Sequence, residues 1–175
     1  MENQTQEQIP ESVSAIDEGK LLQYQEKLKM DQNLPMALVG GVAAAVAGGI
    51  VWAVVTVTTG YQIGYMAVGV GFLVGYSVRH LGKGIDKIFG IIGAALALLG
   101  CLLGNFFSLV GFSSKQENIG VLDILTSIDY SIVPGVMIDA FSPMDILFYG
   151  IAVYEGYKFS FRQFTQQDLL QNASK

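Results

Sequence analysis

Residues 36–58 read MALVGGVAAAVAGGIVWAVVTVT, and none of these 23 side chains carries a charge. At about 1.5 Å per residue, a helix of this length spans the roughly 30 Å hydrocarbon core of a bilayer. The chain has 175 residues, of which 51% are hydrophobic and 14% are charged, whereas soluble domains carry about 25% charged residues. The stretch therefore predicts a transmembrane helix, and the composition predicts an integral membrane protein.

Three further apolar runs follow the first one along the chain. They comprise residues 61–78, 88–112 and 142–161. The connection after the first run is so short that the first two helices must form an antiparallel hairpin. The expected fold is therefore all-α, an integral membrane bundle of four transmembrane helices, with residues 35–162 as the membrane domain.

Polar and amphipathic segments flank and interrupt the spans. Residues 1–34 are polar and acidic, and they predict a cytoplasmic tail with an amphipathic helix at about 15–31. Residues 113–140 begin with the polar letters SSKQEN and continue with apolar side chains at helical spacing. We expect this segment to form an amphipathic helix on the outer face that ends at Pro134. Residues 163–175 form a second cytoplasmic tail.

The distribution of basic residues predicts the orientation in the membrane. Loops that stay in the cytoplasm are rich in Lys and Arg. With four spans, nine of the ten basic residues lie on the side of the two termini, and Lys115 lies on the opposite side. We therefore expect both termini to be cytoplasmic.

A glycine-rich run, GVGFLVG at residues 69–75, raises the alternative of a dinucleotide-binding turn. Such a turn needs its glycines between a strand and a helix, whereas these lie inside an apolar run, where a turn would leave backbone groups unpaired in hydrocarbon. Small residues at three- and four-residue spacing instead favour close helix packing. The predicted packing residues are Gly41, Ala45 and Gly48 in the first span, Gly64, Ala67, Gly71 and Gly75 in the second, and Gly93, Ala97, Gly100 and Gly104 in the third.

The loop between the second and third spans is basic, with Arg79, Lys83 and Lys87. These charges could serve only to set the topology. Alternatively, they could bind an anionic lipid headgroup or an acidic partner surface, because each basic charge near an anionic leaflet contributes about 1 kcal/mol. Both interpretations remain open from the sequence.

Polar side chains inside the spans are candidates for function, because they are costly in a membrane. Glu155 and Lys158 are spaced to form an ion pair in the last turns of the fourth span, or their long side chains could extend toward the membrane interface. Alternatively, Glu155 could lie on a proton or cation path, and Asn105 of the third span could add to its polar lining.

Catalysis finds little support in the sequence. His80 and Cys101 are the single histidine and the single cysteine, and they lie in different segments. They therefore form neither a metal cluster nor a nucleophile and base pair. We predict a protein that is not an enzyme, has no cofactor and binds no nucleic acid.

The block GYQIGYMAVGVGFLVGYSVRHLGKGID at residues 60–86, together with the flanking spans, resembles a family of small bacterial multi-pass membrane proteins. The stretch LFYGIAVYEGYKFSFR at 147–162 is similar to the end of longer members. The resemblance implies a bacterial inner-membrane location, and it implies no activity. Some relatives carry a zinc-ribbon segment, but this chain lacks its cysteine pairs.

Two hypotheses for the function follow. The first is an accessory or scaffolding subunit that binds membrane lipids, and either other membrane proteins or itself, through its glycine-rich helix faces. The second is a small oligomeric transporter or channel with Glu155 in its polar path.

Overall fold

The structure is a computed structural model that describes residues 18–61 and 64–162. Every helix or strand assigned within these residues is an α-helix, so the all-α prediction is confirmed for this part of the chain. The predictions for the first part of the N-terminal tail and for the tail at 163–175 lie outside the described residues.

The chain divides into two units, and the first has one described helix, α1 (Glu18–Met30). This helix covers most of the amphipathic helix predicted at 15–31. Its last turn contains Lys27 and Lys29, whose positive charges interact favourably with the carbonyl end of a helix.

The second unit runs from Gln32 to Arg162 and contains six helices. They are α2 (Leu34–Thr59), α3 (Tyr65–Gly82), α4 (Lys87–Glu117), α5 (Val121–Ser127), α6 (Val133–Asp139) and α7 (Pro143–Phe159). Both α3 and α4 pack against α2 and α7, and they also pack against each other. The four longer helices of this unit therefore form a bundle.

Helix α2 has clear local signals at both ends. The side chain of Asn33 accepts a hydrogen bond from the Met36 amide at 3.0 Å, and a proline lies in the first turn. At the other end Gly60 adopts φ 73°, a left-handed conformation that glycine adopts readily, and its amide donates to the Thr56 carbonyl. These signals explain why the helix begins and ends where it does.

The apolar helices support a membrane protein with two or three candidate spans among the described residues. Helices α2 and α4 are each long and apolar enough to cross a membrane. Helices α6 and α7 are also long and apolar enough to cross a membrane if they are taken together as one span, although the chain bends by 105° between them. Helix α3 has 18 residues, and Arg79 in its last turn shortens its uncharged part.

Small side chains make the close contacts inside the bundle. Five alanines have no exposed surface, namely Ala37, Ala45, Ala67, Ala97 and Ala152. Large apolar side chains such as Val39, Val51, Ile91 and Ile146 are instead mostly exposed on the outside. A soluble protein rarely exposes so much apolar surface, whereas lipid tails cover it favourably.

The helix that contains the third predicted span, residues 88–112, extends beyond it. Helix α4 continues through the polar residues 113–117 and ends at Asn118, which adopts φ 53° and donates its amide to the Ser114 carbonyl. The positive charge of Lys115 in this last turn interacts favourably with the carbonyl groups at the end of the helix. The polar letters after Phe112 therefore extend the helix instead of opening a new segment.

The prediction of one amphipathic helix within 113–140 is also wrong. The segment after α4 forms two short helices, α5 and α6, separated by a turn at residues 128–132. Pro134 lies in the first turn of α6, where the missing amide hydrogen has no cost, so it begins a helix instead of ending one. None of the residues in α5 or α6 is buried.

Candidate functional site

The predicted packing residues of α3 lie against α7. A methyl group on Gly71 would come 2.5 Å from the Ala152 carbonyl oxygen, and one on Gly75 would come 3.1 Å from the Gly156 carbonyl oxygen. Gly64 lies at the other end of this contact, against the ring of Phe148. The backbones of the two helices therefore approach closely over several turns.

The packing residues of α4 face three neighbouring helices. Gly93 lies against Gly156 and Ser160 at the end of α7. Further along, a methyl group on Gly100 would come 2.6 Å from the Val70 side chain of α3 and 3.3 Å from the Ala45 Cα atom of α2. Gly104 lies under the ring of Trp52. One helix thus uses its small residues to hold α2, α3 and α7.

The packing residues of α2 also face the interior. A methyl group on Gly41 would meet the side chains of Val78 and Leu96, and one on Gly48 would come 3.2 Å from Val70. By contrast, a methyl group on Gly69 or Gly150 would meet no atom within 4 Å. The predicted stripes are therefore in contact within this chain, and other glycines face outward.

The basic loop is fixed to the rest of the second unit by hydrogen bonds. The side chain of Gln32 donates to the Asp86 carboxylate at 2.9 Å and accepts from the Ile85 amide at 3.1 Å. The Asn33 amide donates to the Gly82 carbonyl and the Arg162 amide to the Gly84 carbonyl, each at 2.9 Å. The loop is therefore held by residues 32–33, which precede α2, and by Arg162, which follows α7.

The three basic side chains that could bind an anion differ in their exposure. Lys83 and Lys87 are exposed, whereas Arg79 lies within α3 and is half-buried. The two glycines of the loop, Gly82 and Gly84, lie against the ring of Phe89. Packing on that ring therefore accounts for the small residues in this loop.

Glu155 and Lys158 are not joined by an ion pair in the described part of the chain. The Lys158 ammonium lies 5.4 Å from the centre of the Tyr154 ring instead, at a distance typical of a cation–π contact. Glu155 is half-buried near the end of α7. Of the two interpretations from the sequence, the ion pair is therefore not formed, whereas a lysine side chain that extends toward the interface fits this contact with the exposed Tyr154.

Asn105 belongs to a polar cluster between α4 and α7. Its side-chain nitrogen donates to the Tyr149 hydroxyl. Tyr149 is buried, and one turn earlier the buried Asp145 accepts from the Ser142 amide at 2.8 Å in a capping box that begins α7. Asn105 therefore lies in a polar part of the interior, as a membrane-embedded amide requires.

A cavity of about 260 Å³ lies beside this cluster, between α2, α4 and α6. We call it the Thr56 cavity, and its lining includes the polar side chains of Thr56, Asn105 and Ser108 and the apolar side chains of Leu109, Phe112 and Met137. Thr56 is 2% exposed, and its hydroxyl makes no hydrogen bond with any residue in the described ranges. Glu155 does not line this cavity.

Thr56 was not among the residues predicted from the sequence, although it lies in the apolar run at 36–58. Threonine is common in membrane helices, where its hydroxyl usually bonds to the preceding turn. A usable signal was the four-residue spacing of Trp52 and Thr56, which places two polar groups on one helix face. Trp52 is 1% exposed, and its indole nitrogen also lacks a partner among the described residues.

Among the described residues, no group of three or more His, Cys, Asp or Glu is arranged to hold a metal ion. No protein-family model matches this chain, and no curated protein or solved structure is similar enough to count as a match. The resemblance in residues 60–86 therefore remains a prediction.

Proposed function

We propose that this protein is a non-enzymatic accessory or scaffolding subunit of a membrane complex. In this proposal α2, α3, α4 and α7 cross the bacterial cytoplasmic membrane, and both termini are cytoplasmic. Its partners are other membrane subunits or a second copy of the chain. Anionic lipid headgroups contact the exposed Lys83 and Lys87.

The single observation that carries this proposal is the pair of outward glycines. Gly69 on α3 and Gly150 on α7 are exposed, and a methyl group at either position would meet nothing within 4 Å. Membrane helices associate where small residues let their backbones approach. Because the inward glycines already contact neighbouring helices, these two positions are the places where a partner helix can approach closely.

The test is purification of the complex from the source membrane in mild detergent, followed by identification of every chain that co-purifies. We expect stoichiometric partner subunits, or a homo-oligomer, with the wild-type chain. Gly69→Leu and Gly150→Leu should each reduce the bound partner, because the bulky side chain keeps the partner backbone away.

The matched control is Val46→Leu, which enlarges an exposed apolar side chain on α2. It should leave the complex intact. A chain that purifies as a monomer under conditions that preserve other membrane complexes would contradict the proposal.

The second candidate is a small oligomeric transporter or channel with Glu155 in its polar path. The observation that favours it is the position of Asn105, which lines a cavity in a polar part of the interior, although Glu155 lies outside the residues that line this cavity. Glu155→Gln in liposomes should abolish ion flux with normal assembly if this candidate is correct. If the wild type and Glu155→Gln show the same ion flux, or if neither shows any, the channel candidate is contradicted and the accessory function is retained.

A further inference from the structure

An open groove of about 610 Å³ lies between α2 and α4, beside α5, and we call it the α2–α4 groove. On α2 its lining extends from Ile50 to Thr58, and on α4 it extends from Phe107 to Lys115. At about 1.5 Å per residue, each of these stretches measures about 12 Å. One leaflet supplies about half of the roughly 30 Å hydrocarbon core of a bilayer. The groove is therefore nearly as long as one leaflet is deep.

The polar side chains of the groove are confined to one end. Thr58, Ser114 and Lys115 line the end near the carboxyl termini of α2 and α4, and all other lining residues in the described part of the chain are apolar. A phospholipid has the same arrangement, because its apolar acyl chains lie below a polar headgroup. The groove thus matches one lipid molecule in both length and polarity.

The shape of the groove suits a flexible acyl chain better than a partner helix. Membrane helices approach closely where small residues are exposed. Here Ala53 is only 8% exposed, and a methyl group on Gly111 would come 2.6 Å from the Val57 side chain, so both small residues are already covered. Ile50 and Val54, which are exposed, would hold a partner backbone away. A hydrocarbon chain can lie between such branched side chains.

The charge at the polar end of the groove favours an anion. Lys115 is exposed, and the described residues that line the groove include no Asp or Glu. Asp123 lies two residues from both Val121 and Leu125, the lining residues of α5, so it is on the opposite side of that helix. The groove therefore presents a positive charge where the headgroup of a lipid would lie.

We propose that the α2–α4 groove binds one phospholipid with an anionic headgroup, with an acyl chain along Ala53 and Val110 and the phosphate at Lys115. The lipid belongs to the leaflet that surrounds the carboxyl-terminal end of α4. This site is separate from the headgroup contacts proposed at Lys83 and Lys87, because those residues lie near the opposite end of α4. It requires that α2 and α4 cross the membrane, and it does not depend on the accessory function.

The experiment uses the full chain in phosphatidylcholine nanodiscs that contain a small fraction of a lipid with a photoreactive acyl chain. One probe has a phosphatidylglycerol headgroup and the other a phosphatidylcholine headgroup, with identical acyl chains. Mass spectrometry of the peptides locates the labelled residues. We expect the anionic probe to label residues 50–58 and 107–115 about fivefold more strongly, and an excess of unlabelled phosphatidylglycerol should remove this labelling.

Lys115→Gln should lower the preference for the anionic probe about fivefold, which corresponds to about 1 kcal/mol. Lys115→Arg keeps the positive charge and is the matched control, so it should retain the preference. Lys83→Gln removes a positive charge at the opposite end of α4 and should leave the labelling of the groove unchanged. The proposal is overturned if Lys115→Gln and Lys115→Arg behave alike.

Val54→Trp should partly fill the groove and reduce its labelling by both probes. Val46→Trp is the control, because Val46 is exposed on the same helix but does not line the groove. Equal labelling of the wild type by both probes would indicate contact with bulk lipid only and would overturn the proposal. Disulfide-linked dimers of Val54→Cys in a Cys101→Ala background would also overturn it, because the groove would then hold a second copy of the chain.

Discussion

Gly156 of α7 lies so close to Gly93 of α4 that a methyl group on Gly156 would come 2.6 Å from the Gly93 carbonyl oxygen. The same methyl group would come 2.7 Å from the Ala97 side chain. Backbone atoms cannot move aside as the end of a flexible side chain can. This contact therefore sets the distance between the two helices.

Gly156→Ala should lower the free energy of unfolding by about 1–3 kcal/mol, the usual cost of inserting a methyl group into a packed interior. The matched control is Gly150→Ala on the same helix, where the new methyl group meets nothing within 4 Å. The control should leave stability unchanged or slightly higher. Unfolding titrations in mild detergent measure both, and equal stability of the two variants would contradict the packing described above.

Gln32→Ala should loosen the loop between α3 and α4. The Gln32 side chain accepts from the Ile85 and Asp86 amides, so both amides should exchange with solvent faster, on the order of tenfold. Hydrogen exchange measured by mass spectrometry provides the readout. Gln25→Ala, at an exposed position in α1, serves as the control, and unchanged exchange in the loop would show that Gln32 does not hold it.

The turn between α5 and α6 should respond to acid. Hydrogen bonds from the Ser131 side chain and from its amide, the latter at 2.9 Å, hold the pKa of Asp129 below its usual range. Because the folded-state pKa is lowered, the carboxylate stabilises the turn above the unfolded-state pKa. This stabilisation is lost as the pH falls through the folded-state value.

Ser131→Ala removes the larger of these two causes, so it should raise the pKa of Asp129 toward its usual value. An NMR titration of labelled aspartate measures this shift. Ser127→Ala is the control, because that hydroxyl donates to the Asp123 carbonyl instead. If the pKa of Asp129 is the same in both variants, the Ser131 hydroxyl has no role in the turn.

Single cysteines in a Cys101→Ala background test the four-span proposal. Cys101 is buried, so its replacement removes the chain's own thiol without opening a surface site. An impermeant maleimide added outside intact cells should label Tyr61→Cys and Lys115→Cys. It should not label Lys83→Cys or a cysteine added after Lys175. Labelling of the terminal cysteine from outside would show that α7 does not cross the membrane.

The uncharged runs were a good guide to the helices because burying charge in hydrocarbon is so unfavourable. Helices α2 and α4 contain the runs at 36–58 and 88–112. Helix ends were harder to predict. Pro134 is compatible with the end or the start of a helix, and the distinction depends on the turn at residues 128–132, where the Ser131 amide donates to the Asp129 carboxylate.

Side-chain partners were the least predictable part of the candidate sites. The spacing of Glu155 and Lys158 allows an ion pair, yet the lysine extends over the Tyr154 ring. The Thr56 cavity requires α2, α4 and α6 together, and residues as far apart as Thr56 and Met137 line it. No local pattern contains such a long-range arrangement.

The helices of the bundle differ greatly in length. At about 1.5 Å per residue, the 31 residues of α4 measure about 46 Å, whereas the 18 residues of α3 measure about 27 Å. The uncharged residues 88–112 of α4 are likewise more numerous than the uncharged residues 65–78 of α3. If both helices cross the membrane as proposed, the lipids must thin around α3 or α4 must tilt, and such hydrophobic mismatch sorts proteins between thin and thick membranes.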